Sequence, residues 1–219
     1  MPGTKYTLDV SNLHSRNPFK QFDRWLQEAK NDKDIKNPSV MCLTTCSPDC
    51  KPSCRMIQLQ DFNEKGLLFS THYESKKAKE LNLNPKCSVC FYWDDLDRQV
   101  VMNGRVEKIS EVDYYSYFSR KPIEEQIKIV VSEQGKILPD KQPMIEKQKK
   151  LMKQFEETKQ VPLPETWCGY LFIPEEFDFW QGNSDDLDDR LRFRLKRDHE
   201  NTDLVVQGEG FWVIERLSA

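Results

Sequence analysis

The sequence predicts a mainly β protein with packed helices (α+β), in which the strands form an antiparallel meander. Short apolar segments follow one another with turn residues between them, at 47–52 and 61–66. Residues 98–109 alternate apolar and polar side chains over much of their length, as a half-buried strand does. Apolar stripes at helical spacing lie between the strands. This order favours an antiparallel β-barrel with helices packed against it.

The composition restricts the functional classes. The chain has 219 residues and a net charge of −3, so it lacks the basic footprint of a general nucleic-acid-binding protein. It contains no apolar run long enough for a membrane span and no apolar secretory segment near Met1. Seven cysteines form an odd set, which favours reduced thiols and a cytoplasmic protein.

The domain organisation is simple. Residues 1–16 are polar and irregular and are predicted to form a flexible arm, whereas residues 17–219 are predicted to form one domain. Asn17 is a candidate N-cap and Pro18 suits the first helical position. The predicted helices cover 18–30, 76–83, 110–119, 122–132 and 144–155; the predicted strands cover 40–46, 53–60, 66–72, 86–93, 98–109, 167–173, 176–181, 190–196 and 210–216.

Four cysteines at every fourth position raise the question of a zinc site. The series Cys42, Cys46, Cys50 and Cys54 is interrupted by prolines, so one helix cannot align the thiols, and it lacks the usual C-x2-C spacing. Ordinary buried or exposed thiols are the favoured interpretation, and no metal site is predicted. With no glycine-rich phosphate loop, a dinucleotide-binding fold is not favoured either.

Three basic residues suggest a phosphate site. Arg55 lies on a predicted strand, and Lys76 and Lys77 open a predicted helix after Ser75. A helix N-terminus with nearby cations binds phosphate well. The alternative is a solvated basic surface, since lysines at helix starts are common.

Several motifs in collinear order resemble the pyridoxine/pyridoxamine 5'-phosphate oxidase family over residues 17–219. F-W-Q-G at 179–182 and D-R-x-x-F-R at 189–194 carry part of the resemblance. Further motifs are R-M-I-Q-L-Q-D-F at 55–62, F-S-T-H-Y-E-S-K-K-A-K-E-L at 69–81, F-Y-W-x-x-L-x-R-Q-V at 91–100, Y-F-S-R-K-P-I-E-E-Q-I at 117–127, V-P-L-P-E-T-W-C-G-Y at 161–170 and W-x-x-x-R-L at 212–217.

The resemblance implies an FMN-binding split barrel that works as a homodimer, with both flavin sites at the interface. It implies a cofactor-binding set of Arg55, Met56, Ser70, Thr71, Lys76, Lys77, Gln99, Gln134, Trp180 and Arg190. Lys76 replaces an arginine and keeps its charge without the bidentate fork. FMN is therefore the expected cofactor.

The substrate-binding positions implied by the resemblance are mostly altered. The family has Lys, Tyr, Arg, Ser, Arg and His where this chain has Gln60, Tyr117, Lys121, Glu125, Asp186 and Asp188. Two unit charges about 4 Å apart interact by about 4 kcal/mol at an effective dielectric constant of about 20, so acids in place of cations oppose phosphate binding. A register shift in which Arg120 compensates is the alternative, but the flanking motifs leave no room for one at 186–188.

Three functions follow from these observations. The first is an FMN oxidoreductase with an altered substrate, either non-phosphorylated or cationic. The second is an ordinary pyridoxine/pyridoxamine 5'-phosphate oxidase, and the third is a flavin-binding or interaction protein without catalysis. Turnover of the phosphorylated vitamers separates the second from the others, and reduction of the flavin by a broad substrate panel separates the first from the third.

Overall fold

The computed structural model describes residues 7–158, 160–184, 187–198 and 203–219, which form both helices and strands. The helices are α1 (Pro18–Asn31), α2 (Lys76–Leu83), α3 (Glu111–Ser119), α4 (Ile123–Val131) and α5 (Gln142–Gln154), with a 3-10 turn at Asp94–Leu96. The strands are β1 (Val40–Cys46), β2 (Pro52–Gln58), β3 (Asp61–Asn63), β4 (Gly66–His72), β5 (Lys86–Trp93), β6 (Arg98–Lys108), β7 (Trp167–Gln181), β8 (Asp189–Leu195), β9 (Val206–Gln207) and β10 (Trp212–Arg216). Within these ranges, no helix is both long and apolar enough to cross a membrane.

The strands form one antiparallel sheet in the order β2-β1-β5-β6-β7-β8-β10-β9. Strand β4 pairs with β7 on one side and with the short β3 on the other. The long strand β7 pairs with β6 along one edge. Along its other edge it pairs first with β4 and then with β8. The sheet curves so that β4 approaches β2, and the gap between these two strands is the open side of the barrel. The predicted fold class, an antiparallel sheet with packed helices, is confirmed.

Strand β7 corrects the prediction of two separate strands at 167–173 and 176–181. It is continuous over fifteen residues because the pairing register with β6 shifts near Asn103 and Gly104. Pro174 lies opposite Gly104 at this bulge, where its missing N–H costs least. A Cβ on Gly104 would lie 2.1 Å from the carbonyl oxygen of Ile173, so the close approach of the strands requires glycine. The 3-10 turn and the short strands β3 and β9 were not predicted.

Helix α1 closes the barrel core. Asn17 caps it by accepting a hydrogen bond from Phe19 N at 3.0 Å, and Pro18 occupies the first turn as predicted. Phe22 is fully buried, and its ring contacts those of Phe62 at 5.2 Å and Phe91 at 5.0 Å between centroids. Burial of such rings against the sheet is a major source of stability.

Residues ahead of α1 also contact the domain. Leu8 is buried, and its N–H donates to Asp189 at 2.9 Å. Arg216 forms an ion pair with Asp9, so residues 7–16 of the predicted arm lie against the C-terminal strands. A second, smaller core forms where α3, α4 and α5 meet, around Phe118 and Ile127.

Replacing Phe22 with alanine should lower the free energy of unfolding by about 3–5 kcal/mol, because the surrounding rings cannot fill the cavity. Lys30→Ala on the exposed face of α1 is the matched control and should change it by less than about 0.5 kcal/mol. Urea unfolding followed by circular dichroism measures both. Equal effects of the two changes would contradict the assignment of α1 as a core element.

Candidate functional site

A cleft of about 620 Å³ opens between β2 and β4, at the open side of the barrel. The start of α2, residues 134–135 and Trp167 complete its walls. Seven of the predicted cofactor-binding residues line it: Arg55, Met56, Ser70, Thr71, Lys76, Lys77 and Gln134. Strand pairing and the β4–α2 connection thus bring together residues up to 79 positions apart, from Arg55 to Gln134.

Arg55 is fixed by a polar network beneath the cleft. Its Nη1 donates to Thr45 Oγ1 and its Nη2 to Ser53 Oγ, both at 2.6 Å. The same two hydroxyls donate to Glu80, which is buried and lies 3.5 Å from the Arg55 guanidinium. Burial raises the pKa of Glu80, but the hydrogen bonds from Thr45 and Ser53 outweigh it and keep the carboxyl ionised. Glu80 therefore orients Arg55 while leaving the cleft positively charged.

Lys77 is a buried cation on the cleft wall, with 8% of its surface exposed. Its ammonium donates to Thr71 Oγ1 at 3.0 Å and to Gln134 Oε1 at 3.1 Å. Both partners are neutral, and no carboxylate pairs with Lys77 among the residues that the structure describes. Burial and then the charge of Arg55 lower the pKa of Lys77 to about 8. An anion bound here would restore the charge balance.

These features fit a phosphate group. Ser75 caps α2 by accepting from Ala78 N at 3.3 Å, which directs the positive end of the helix toward the cleft. Arg55 and Lys77 supply two cations, of which Lys77 is buried and Arg55 half-buried. Lys76 differs from them because its side chain is 72% exposed and lies 3.7 Å from Glu80, so it acts at the rim.

The remaining cofactor-binding candidates lie elsewhere on the same chain. Gln99, Trp180 and Arg190 are direct partners across β6, β7 and β8, and none of them lines the cleft. With the exposed Tyr92 on β5, they form an outward-facing row, which we call the outer row. Arg190 donates through Nε and Nη2 to Asp178, with a shortest distance of 2.7 Å, so its guanidinium is held in place.

A depression of about 460 Å³ lies apart from the cleft, and we call its lining residues the polar cluster. They include four of the predicted substrate-binding residues, Gln60, Tyr117, Lys121 and Glu125, together with Asp61, Arg120 and Pro122. Lys121 Nζ donates to Gln60 Oε1 at 2.7 Å and lies 3.9 Å from Glu125. Tyr117 donates its hydroxyl to Asp61 at 2.8 Å.

Asp188 is not among the residues of the polar cluster. Asp188 accepts a hydrogen bond from Asn183 N at 3.0 Å and so closes its own loop. Asp186 lies outside the described residues. The chain therefore presents the predicted site in separate parts: the cleft, the polar cluster, and the outer row with the loop that carries Asp188.

Sequence reasoning missed residues that support the predicted ones. Glu80 could have been found, because it lies one helical turn after Lys76. Asp178 could also have been found, because it shares a strand face with Trp180. Asp61 gave no signal, since its contact with Tyr117 joins residues 56 positions apart.

The cysteine series does not converge on one point. Cys50 is exposed in the β1–β2 turn, whereas Cys42 contacts Cys54 across the two strands. Burial and the neighbouring Cys54 raise the pKa of Cys42, which favours the thiol form. Among the described residues, no three His, Cys, Asp or Glu side chains are arranged to hold a metal ion.

Family comparisons agree with the resemblance inferred from the motifs. Residues 27–152 match the family model described as pyridoxamine 5'-phosphate oxidase. Residues 167–219 match the model described as the pyridoxine 5'-phosphate oxidase C-terminal dimerisation region, which supports a homodimer.

Relatives and solved structures extend these matches. The chain is 40% identical to the pyridoxine-5'-phosphate oxidase of Bos taurus, covering 99% of this chain and 84% of that protein. It is 41% identical to the pyridoxine/pyridoxamine 5'-phosphate oxidase of Bombyx mori, covering 97% and 84%. PhzG from Burkholderia lata, solved in complex with tetrahydrophenazine-1-carboxylic acid, shares the fold, with a TM-score of 0.84, 22% identity and 98% coverage of each chain. A pyridoxamine 5'-phosphate oxidase-related, FMN-binding protein from Nostoc punctiforme has a TM-score of 0.66 and 17% identity, covering 98% of this chain and all of that one.

The pKa of Lys77 should be near 8 in the ligand-free protein, and Arg55→Gln should raise it because a neighbouring positive charge is removed. NMR titration of isotopically labelled lysine side chains measures it directly. Arg105→Gln removes an exposed cation that pairs with Glu107 and Glu175, and should leave Lys77 unchanged. A Lys77 pKa that stays the same in both variants would show that Arg55 does not act on it.

Proposed function

Because the chain belongs to the pyridoxine/pyridoxamine 5'-phosphate oxidase family, whose cofactor is FMN, we propose that it is an FMN-dependent oxidoreductase acting on a substrate without a phosphate ester. Bound FMN would supply the hydride-transfer chemistry, and the protein would bind and orient it. The observation that supports an altered substrate is that residues of the polar cluster already hydrogen-bond to one another. The cluster's two residues closest to the family pattern, Tyr117 and Lys121, are already bonded to Asp61 and Gln60.

The β2–β4 cleft is the proposed FMN-binding site. Arg55, Lys77 and the start of α2 would hold the phosphate, since they bring two cations and a helix N-terminus to the lining of one cleft. Thr71 and Gln134, which now accept from the Lys77 ammonium, would keep that cation oriented. The exposed Met56, next to Arg55 on β2, supplies apolar surface for the ring system.

The polar cluster is the proposed substrate site, and its first residue, Gln60, follows the end of β2 by two positions. The cluster contains Lys121 and Arg120 as cations and Asp61 and Glu125 as anions, so its charges balance within the described residues. A phosphate dianion gains nothing net from such a set. A neutral or cationic group is not repelled, which supports an amine or an alcohol as the group to be oxidised.

A second candidate function is the oxidation of pyridoxine or pyridoxamine 5'-phosphate. It is supported by the 40% identity to the Bos taurus protein over nearly the whole chain. It is also supported by Tyr117 and Lys121, which would contact phosphate after exchanging their present partners. Each exchange would give up a charge-assisted hydrogen bond of about 1.5–3 kcal/mol, which weakens this candidate.

The homodimer would complete the site. The outer row holds Gln99, Trp180 and Arg190 on the surface, away from the cleft of their own chain. These are the residues that the family resemblance assigns to the flavin, so a partner subunit would bring its outer row to the cleft. A two-fold dimer then forms two equivalent sites, each drawing on both chains.

We further propose a cytoplasmic location, supported by the free thiol state of all seven cysteines.

The purified protein should bind FMN with saturable fluorescence quenching, and Lys77→Ala should weaken binding about 10- to 100-fold because a charged contact is lost. Lys79→Ala, on α2 but outside the cleft lining, is the control and should bind normally. The FMN-loaded protein should be reduced by an unphosphorylated amine or alcohol and at most weakly by pyridoxine or pyridoxamine 5'-phosphate, as followed by flavin absorbance.

The outcomes separate the candidates. Rapid flavin reduction by the phosphorylated vitamers would establish the second candidate instead. The combined variant Gln60→Lys, Glu125→Ser, Asp186→Arg and Asp188→His rebuilds the family residues at four positions and should gain affinity for these esters. No gain with FMN bound would mean that the shape of the site, and not only its charge, has changed.

Mixed dimers test the shared site. Lys77→Ala and Arg190→Ala homodimers should each bind FMN weakly. After subunit exchange, about a quarter of all sites should regain wild-type affinity, since each mixed dimer has one site with both residues intact. Stoichiometric FMN titration at a protein concentration below the dissociation constant of the variant sites measures this fraction. No recovery, with exchange verified by native mass spectrometry, would place Lys77 and Arg190 in a site within one chain.

A further inference from the structure

Asp61 is the one acid of the polar cluster that the family resemblance does not point to. It begins β3, directly after Gln60, and both of its carboxylate oxygens are engaged. Oδ1 accepts from Phe62 N at 2.8 Å and Oδ2 from the Tyr117 hydroxyl at 2.8 Å. The carboxylate is therefore held in one orientation by its own backbone while it holds Tyr117.

Gln60 holds Lys121 by a hydrogen bond, as Asp61 holds Tyr117. Its Oε1 accepts from Lys121 Nζ at 2.7 Å, and its backbone N–H donates to Leu68 O at 2.8 Å, which anchors it to β4. The consecutive residues Gln60 and Asp61 thus accept hydrogen bonds from Lys121, in the α3–α4 turn, and from Tyr117, in α3. The side chain of Lys121 is only 17% exposed, so water replaces the Gln60 contact poorly.

We propose that Asp61 is a specificity-determining residue that, with Gln60, withholds Tyr117 and Lys121 from phosphate and favours a substrate group that donates hydrogen bonds, such as an amine. This inference rests on the proposed function, because it assigns the substrate to the polar cluster. It goes further by naming the residue that sets the preference and the chemical class that it selects.

The direction of the Tyr117 hydrogen bond carries the argument. A hydroxyl has one proton, and Tyr117 gives it to a carboxylate, so only its oxygen lone pairs remain for a ligand. A phosphate oxygen needs a donor and finds none there, whereas an ammonium or amine N–H finds an acceptor. Burial and the bond to Asp61 both raise the pKa of Tyr117, which keeps its proton in place.

The charge of Asp61 acts in the same direction. Arg120 lies over the Tyr117 ring, with its guanidinium carbon 6.0 Å from the centroid, and Lys121 lies near Glu125 at 3.9 Å. Each cation of the cluster therefore has an acid or a ring beside it. Replacing Asp61 alone would leave two cations against Glu125 and shift the balance toward anions.

The experiment compares the binding of pyridoxine 5'-phosphate and of unphosphorylated pyridoxine to the FMN-loaded protein by calorimetry. The ratio of the two affinities isolates the contribution of the phosphate, since a merely structural change would alter both ligands together. In the unmodified protein the phosphate should give no advantage. Asp61→Asn retains an acceptor for Phe62 N and should raise the ratio about tenfold in favour of the phosphate.

Two further variants make the test specific. Glu64→Gln removes one negative charge from the same β-hairpin without touching Tyr117, and should leave the ratio unchanged. In a Tyr117→Phe background, Asp61→Asn should gain less than it does alone, because the freed hydroxyl is missing. Full additivity of the two changes would remove Tyr117 from the argument and overturn the inference.

The results distinguish this inference from the function on which it rests. An unchanged ratio in Asp61→Asn, or an equal rise in Glu64→Gln, would overturn the role of Asp61 and leave the FMN oxidoreductase standing. Absence of FMN binding would overturn both. A strong phosphate preference in the unmodified protein would also overturn the inference, since Asp61 would then not withhold the hydroxyl.

Discussion

The burial of Lys77 beside the half-buried Arg55 is the constraint on which the site depends. Arg55 and Lys77 face one cleft, and the charge of Arg55 contributes to the lowered pKa of Lys77. The fall from the usual 10.5 to about 8 corresponds to roughly 3 kcal/mol of stability lost at neutral pH. Because the unfolded chain holds this proton more tightly, stability from this group rises as pH increases from about 8 toward 10.5. A protein keeps such an unfavourable arrangement where an anionic ligand offsets it.

The scaffold around these cations explains why they persist without a ligand. Glu80 accepts from Thr45 and Ser53, and these hydroxyls accept from Arg55, so the negative charge is shared through neutral groups. Glu80 also forms a direct ion pair with the Arg55 guanidinium at 3.5 Å and another with Lys76 at 3.7 Å. These contacts orient the guanidinium, and the cleft stays positive because Lys77 has only neutral partners among the described residues. In this network β1 supplies Thr45, β2 supplies Ser53 and Arg55, and α2 supplies Glu80.

Much of the fold was predictable because its signals are local. The cap and stripe of α1, the boundaries of β4 and α2, and the alternation in β6 all follow from short stretches of sequence. The continuity of β7 was not predictable, because it depends on a bulge whose cause is the close approach of Gly104 to Ile173 on another strand. The phosphate-site hypothesis for Arg55, Lys76 and Lys77 came from residue types and became specific only through the family resemblance. Contacts such as Asp61 with Tyr117 could not be read, since pairing across 56 residues leaves no local pattern.

The separation of the site into parts has a physical consequence for the homodimer. A single chain exposes Met56 in the cleft and Tyr92 in the outer row, at 63% and 59% of their surfaces. Burying these surfaces against a second copy would add apolar contact to a chain that is polar overall. The cleft and the outer row differ in character. The cleft carries Lys77, a buried cation that no carboxylate pairs with among the described residues, whereas the outer row carries an arginine already bonded to Asp178. The cleft can therefore meet the anionic end of a ligand while the outer row, with its aromatic side chains, covers an apolar face. In this arrangement the same surface that joins the subunits also closes the site, so cofactor binding and dimerisation would stabilise each other.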